Sequence, residues 1–283
     1  MAGSRIPCCW NCSPSTAPAR WCSPTSTRRS PAGCRQAADQ EGDTAAVSTG
    51  STLQRGSHRP APITPLRDAD AWLFDLDNTL YPAAIDLFGQ IDERMRAYIA
   101  NFLDLDLDAA YALQKRYFYE YGTSMRGLMD HHGLDPTPFL AHVHDIDVGV
   151  LDPAPLLEKA LAALPGRKIV FTNASVAHAR RVLDRLGVDH HFSEIFDIVA
   201  ADFRPKPEPE IYRKLIDQHV IDPHRTVMVE DMARNLLPAA TLGMTTVWVR
   251  GSEWGAMGSE GGHIHHVVDD LTPWLVEVAA GRI

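Results

Sequence analysis

Short apolar runs that stop abruptly at acidic or amide residues constrain this chain more than any other feature. Residues 71–74 (AWLF) are one such run, followed at once by Asp75. Comparable runs recur at 168–171 (KIVF), 197–200 (DIVA), 226–229 (TVMV) and 245–249 (TTVWV). A strand that is apolar at consecutive positions buries both of its faces, as strands of a helix-covered parallel sheet do. Helical patterns lie between the later runs. The segment 175–187 opens on Ser175, a good N-cap, and closes on Gly187. The segment 208–219 carries Pro209 in its first turn, where a missing N–H costs little, and 235–242 ends at Gly243. This alternation predicts a doubly wound, Rossmann-like α/β sheet.

One interval breaks the alternation. About ninety residues separate the first run from the second, and none of them reads as a strand. Leu87, Ile91, Met95, Tyr98 and Phe102 recur at helical spacing, with further helical stretches near 109–121 and 137–145. The expected organisation is an α/β core over 67–82 and 152–283, with an all-helical cap over 83–151 lying across the carboxyl edge of the sheet.

Composition separates a third piece. Residues 1–66 are rich in Ser, Thr, Pro, Gly and Arg and show little apolar periodicity, so they are expected to be disordered. They carry seven Arg against three acids, a net of +4, so the −9 of the whole chain leaves −13 for the rest. A chain this acidic is a poor candidate for binding nucleic acid. The Arg- and Ser-rich, acid-poor tail fits either a transit-peptide-like leader or an upstream stretch read through a misplaced start codon. All five cysteines lie in it; Cys9 and Cys12 have the spacing of half a zinc site but lack a completing pair. The rest of the chain therefore uses neither disulfides nor a cysteine nucleophile. No apolar run approaches the roughly 20 residues of a membrane span, and no secretory apolar segment is present. A cytoplasmic location is expected.

In an open α/β sheet, ligands sit beyond the carboxyl ends of the strands. There the first run delivers Asp75 and Asp77 (FDLDNTL), the second Thr172 and Asn173 (VFTN), and the fourth Glu230 and Asp231 (VMVED). Lys206 stands between prolines in RPKPEP. Four carboxylates at one edge repel one another, and a divalent cation relieves that repulsion; oxygen ligands of this hardness select magnesium. Such a site suits phosphate monoesters. An aspartate can attack phosphorus and form an aspartyl-phosphate, while Lys206 and the Thr172 hydroxyl stabilise the transferring oxygens. A second acid two residues away, Asp77, can move protons to the leaving group and from water.

These residues resemble the haloacid dehalogenase superfamily of phosphatases. Asp75–Thr79 matches its DxDxT signature, and Thr172, Lys206 and Glu230–Asp231 follow in the order and intervals of its other motifs. The resemblance spans about residues 70–250. It implies Asp75 as nucleophile, Asp77 as general acid/base with its main-chain carbonyl on magnesium, and Asp231 with Glu230 completing the metal's protein ligands. Asn235 is expected to support Lys206 or the loop rather than bind metal. The insert is similar to a C1-type cap, and its stretch YFYEYGTSMRGLMDHHG (117–133) resembles the cap of pyrimidine 5′-nucleotidases. On that likeness Tyr121, Gly122, Thr123 and Arg126 are expected to face the nucleotide, and the substrate is expected to be UMP or CMP. The alternatives are a phosphatase for phosphoglycolate or sugar phosphates and a catalytically silent binding protein on the same fold. The histidine clusters 131–132, 190–191 and 263–266 lack acid or cysteine partners at ligand spacing and are read as surface residues; Trp248 and Trp254 are read as core and loop packing.

Overall fold

A computed structural model describes residues 65–252 and 254–283. The Cys9–Cys12 pair and the tail to residue 64 lie outside the described residues. Leu66, placed in the tail on sequence, is buried and opens the 3-10 turn Leu66–Asp68, so the packed part begins before residue 67.

Among the described residues, six strands form one parallel sheet: β1 (Ala71–Phe74), β2 (Arg167–Phe171), β3 (Glu194–Phe196), β4 (Thr226–Glu230), β5 (Thr245–Val249) and β6 (His266–Val268). Their order is β3-β2-β1-β4-β5-β6, so the winding reverses between β1 and β4. Phe74, the last residue of β1, lies opposite Val170 on one side and Val229 on the other, and β2 and β4 each run one residue further. That reversal opens a crevice at the carboxyl edge.

The continuous apolar runs resolve into two faces. Trp72 and Phe74 pack with Val170, Val227 and Val229, while Leu73 packs with Ile169, Phe171 and Met228. The first face is covered by α5 (Pro155–Ala163), α6 (Val176–Leu186) and α9 (Leu271–Ala279); the second by α7 (Pro209–His219) and α8 (Ala233–Thr241). Burying one such side chain contributes about 1.5–3 kcal/mol, so the two faces together fix the sheet's position between its helices. Ser175 caps α6 by accepting from the His178 N–H, and Gly187 ends it with a positive φ of 78°.

The third strand departs from expectation. It is Glu194–Phe196, and 197–200 form a turn instead. Asp197 is the reason: its carboxylate accepts from the backbone N–H of Ala200 at 2.8 Å and of Val176 at 3.0 Å. A side chain that takes up these donors competes with the ladder.

Between β1 and β2 the described chain forms α1 (Leu87–Leu103), α2 (Leu107–Tyr121), α3 (Ser124–His132) and α4 (Pro136–Val143) before α5. In α1, Leu87, Ile91 and Ile99 are buried, whereas Phe102 is exposed. Thr123 starts α3 as an N-cap, accepting from the Arg126 N–H at 3.2 Å. No helix of the described residues is long and apolar enough to cross a membrane.

Candidate active site

The segment after β1 folds back on itself because Asn78 adopts a left-handed φ of 61°, a conformation asparagine tolerates. The amides of Thr79 and Leu80 then close onto the Leu76 carbonyl. This turn pairs side chains four apart: Thr79 Oγ1 donates to Asp75 Oδ2 at 3.1 Å, and the Tyr81 hydroxyl donates to Asp77 Oδ1 at 2.7 Å.

Lys206 is fully buried and reaches the end of β1. Its Nζ donates to Asp75 Oδ1 at 2.6 Å, to Glu230 Oε2 at 2.8 Å and to the Phe171 carbonyl at 2.9 Å. Its own backbone N–H donates to Asn173 Oδ1 at 2.8 Å, so the second strand's exit positions the lysine's loop. Asn235 Nδ2 donates to Glu230 Oε1. Asn235 thus supports Lys206 through Glu230, and both Glu230 oxygens already have a partner. Sequence reasoning grouped Glu230 with the metal ligands; in the structure it anchors the lysine, although its ligand oxygen lies within 4.8 Å of those of Asp75 and Asp231. Thr172 is buried, and its Oγ1 accepts from the Ala174 N–H at 3.0 Å, leaving its hydroxyl proton to donate. Asp231 is steadied through its backbone, whose carbonyl accepts from Trp248 Nε1 at 2.8 Å.

Electrostatics follow from burial. Desolvation pushes the Asp75 carboxyl up, only partly offset by Lys206. Burial and Asp75 together push Glu230 up to about 7, and burial with Glu230 and Asp75 pushes Asp231 well above the carboxylate range. Burial alone would lower Lys206, but Asp75 and Glu230 hold it above its ordinary value. Asp75, Glu230 and Asp231 thus bring three buried carboxylates to one point, with one ammonium among them. An all-oxygen cluster short of positive charge fits a hard divalent cation. Asp77 differs. Burial raises it, but His178 and Tyr81 outweigh that and hold it below the usual carboxylate range.

A cavity of about 540 Å³ lies over these residues, between the sheet edge and the helical insert. Asp75, Asp77, Thr172, Asn173, Lys206 and Asp231 all line it. On the insert side it meets Phe88, Tyr111, Phe118 and Met125, with Trp254 from the loop after β5. Lys115 stands there too, its Nζ 2.8 and 2.9 Å from the oxygens of Asp92.

The four cap residues divide. Gly122 and Thr123 line this cavity. Tyr121 and Arg126 do not: the Tyr121 hydroxyl bonds His131 Nε2, and Arg126 pairs with Asp130 at 2.8 Å. These local partners, four and ten residues along the chain, hold both side chains in a neighbouring groove.

Sequence reasoning missed His178, which is fully buried with Nε2 2.8 Å from Asp77 Oδ1. The signal was present, because His178 falls in the apolar stripe of α6 with Ala179, Val182, Leu183 and Leu186. The other histidines need correction as well. His263 is buried, with Nε2 3.2 Å from the Ala233 carbonyl, and His191 has Glu158 at 3.3 Å, an acid partner distant in sequence. His131 and His132 are exposed, as expected. Trp254, read as loop packing, faces the cavity.

Comparison with known proteins identifies the family. Residues 69–243 match the family model of haloacid dehalogenase-like hydrolases. Phosphate metabolism protein 8 of Saccharomyces cerevisiae is 25% identical over 217 residues, covering 70% of this chain and 62% of that protein's length. Glyceraldehyde 3-phosphate phosphatase of Methanopyrus kandleri is 28% identical over 205 residues, covering 66% and 86% respectively. Among solved structures, CbbY from Rhodobacter sphaeroides in complex with phosphate superposes with a TM-score of 0.52 at 20% identity, over 71% of this chain and 94% of that one. With a family model matched over more than half its length and its motifs gathered at one sheet edge, the chain belongs to the haloacid dehalogenase-like hydrolases.

Proposed function

We propose that this hydrolase is a magnesium-dependent phosphomonoesterase that works through an aspartyl-phosphate on Asp75. The observation that carries this reading is the placement of Lys206, whose ammonium holds Asp75 Oδ1 at the floor of the cavity beside the Thr172 hydroxyl. Asp75 Oδ2, held by the Thr79 hydroxyl, gives the nucleophile one orientation. When phosphate enters, Lys206 and Thr172 are placed to stabilise charge on its equatorial oxygens. Asp75, Asp231 and the main-chain carbonyl of Asp77 would hold a magnesium ion, which would offset the repulsion between carboxylate and phosphate. Asp77 passes a proton to the leaving oxygen and later draws one from the water that hydrolyses the intermediate. His178 and Tyr81 hold Asp77 below the usual carboxylate range. It therefore takes up its proton from solvent or from the substrate's monoanion, favoured by like-charge repulsion from the incoming phosphate, before passing it to the leaving oxygen.

The leaving group is read as a nucleoside with a pyrimidine base. Tyr111, Phe118 and Trp254 offer aromatic faces to a flat ring, and about 540 Å³ is more room than a three-carbon phosphate fills. Gly122 and Thr123 remain in the proposed substrate set, whereas Tyr121 and Arg126 act on it only through the shape of the α2–α3 turn. The second reading is a sugar- or triose-phosphate phosphatase, favoured by the name of the Methanopyrus relative. A substrate panel at saturating magnesium, scored by kcat/KM, decides between them. UMP and CMP are expected to exceed p-nitrophenyl phosphate and glyceraldehyde 3-phosphate, and Asp75→Asn to lose turnover on all of them. If the triose phosphate leads, the pyrimidine assignment is wrong; if folded wild-type protein hydrolyses none of the panel, the catalytic reading is.

A further inference from the structure

His178 and its neighbours form a brace that the chemistry above does not require and that joins two parts of the molecule. Asp77 Oδ1 is held from two directions, by the Tyr81 hydroxyl at 2.7 Å and by His178 Nε2 at 2.8 Å. A carboxylate accepts only, so His178 carries its proton on Nε2 in this contact. Its Nδ1 is buried without a hydrogen-bond partner, so the ring is held by the Asp77 bond and by packing.

That packing comes from the helical insert. The His144 ring, at the carboxyl end of α4, stacks on His178 with centroids 4.6 Å apart and planes 17° from parallel. His144 Nδ1 lies 3.0 Å from Ser175 Oγ, the hydroxyl that caps α6. Arg181 of the same helix donates to the His144 carbonyl at 2.8 Å and also to the Ile146 carbonyl. The end of α4 is therefore fastened to α6 by side chain and backbone alike. The contact series runs from the insert through His144 and His178 to one oxygen of Asp77.

We propose that His178, braced by His144, is the positioning residue for Asp77, so that proton transfer depends on the insert being seated on α6. The physical case is geometric. The Asp77 side chain, which lines the cavity, has three staggered wells about χ1 and a broad χ2, so without fixed partners it samples several orientations. Two donors on Oδ1 narrow these to one orientation, and the stacked His144 ring covers the face of His178 and holds it in place. Without the brace, Asp77 must pay orientational entropy in the transition state that the folded protein has already removed. His178 is fully buried and does not line the cavity, so it acts on the reaction only through Asp77, whereas His144 lines the cavity beside Val143.

This proposal rests on Asp77 being the acid/base, and the test separates the two ideas. Phenyl phosphate and p-nitrophenyl phosphate have nearly the same shape, but phenolate is the poorer leaving group and needs the proton more. The ratio of their kcat/KM values, p-nitrophenyl over phenyl, reports general-acid assistance to the step that phosphorylates Asp75. Asp77→Asn is expected to raise this ratio by about 100-fold or more, the usual range of general-acid catalysis. His178→Leu is expected to raise it about tenfold, with His178→Gln, which keeps a donor near the same place, returning most of the loss. His144→Ala is expected to move it the same way by a smaller factor, while His144→Phe, which keeps the stack, stays close to wild type. A ratio that moves in Asp77→Asn but stays at the wild-type value in His178→Leu overturns the proposal and spares the acid/base reading. A ratio that does not move even in Asp77→Asn overturns the acid/base reading itself. If His178→Leu does not fold, the His144→Ala and His144→Phe pair decides: equal ratios for the two sink the brace.

Discussion

The buried carboxylates of this site are set against the stability of the fold, and the proposed cation would offset their repulsion. Glu230 and Asp231 have folded-state pKa values raised above the ordinary range by burial and mutual repulsion. A carboxyl with a raised folded pKa binds its proton more tightly in the native state than in the unfolded one. Its stabilising contribution is complete below the unfolded value near 4 and is lost as pH rises through the folded value, about 7 for Glu230. In metal-free protein, stability contributed by this cluster therefore falls between about pH 4 and 7 and above. Magnesium held as proposed would bind the ionised form, so the gain in melting temperature on adding it is expected to grow with pH across this window. Thermal melts with and without magnesium at pH 5 and pH 8 check this. An equal gain at both would mean that no cation binds at this carboxylate cluster.

At the scale of elements, the turn between α2 and α3 is where the insert meets the catalytic loop. Gly122 has a positive φ of 83°, and a Cβ there would stand 3.0 Å from the Lys206 carbonyl and 3.3 Å from the Pro205 ring. Arg234 of α8 holds the same turn from the other side, donating to the Gly122 carbonyl at 3.1 Å and lying 4.5 Å from the Phe118 ring. Gly122→Ala combines a disfavoured backbone conformation with a close contact, and is expected to cost about 1–3 kcal/mol. Because the contact falls on the backbone of Lys206, catalytic efficiency is expected to drop more than stability alone explains. Denaturant melts and kcat/KM on the same preparation compare the two effects. A destabilised variant with wild-type kcat/KM at low temperature would show that the turn only packs.

At the scale of the whole molecule, every residue of the proposed site lies between Asp75 and Trp254, and the core that supports it begins at Leu66. A chain starting at Pro65 is expected to keep kcat/KM within about twofold of the full chain, because it retains the core from Leu66 onward and every residue that lines the cavity. A larger loss, or loss of a binding partner on truncation, would assign the basic tail a role in activity or docking.

How much of this was legible beforehand depended on the range of the interaction. The runs at 71–74 and 226–229 and the caps Ser175 and Gly187 report nearest-neighbour physics, and the sheet formed where they indicated. The acids and amides at the ends of those runs had to meet at one edge, because parallel strands place their carboxyl ends together. The third strand was misplaced because Asp197 bonds backbone donors on two segments, one of them more than twenty residues away. Tyr121 and Arg126 were assigned to the substrate by likeness alone, and local partners turned them into the neighbouring groove. The burial of His178 was legible from its place in the apolar stripe of α6, but its partner was not, because Asp77 lies 101 positions away. The sequence by itself thus determined the sheet, its reacting edge and the residues carried there, since these depend on periodicity and strand direction. Which oxygen of Glu230 holds the lysine, what steadies Asp77 and what the insert presents to the cavity were decided by tertiary packing, because hydrogen bonds and burial depend on distances that sequence separation does not encode.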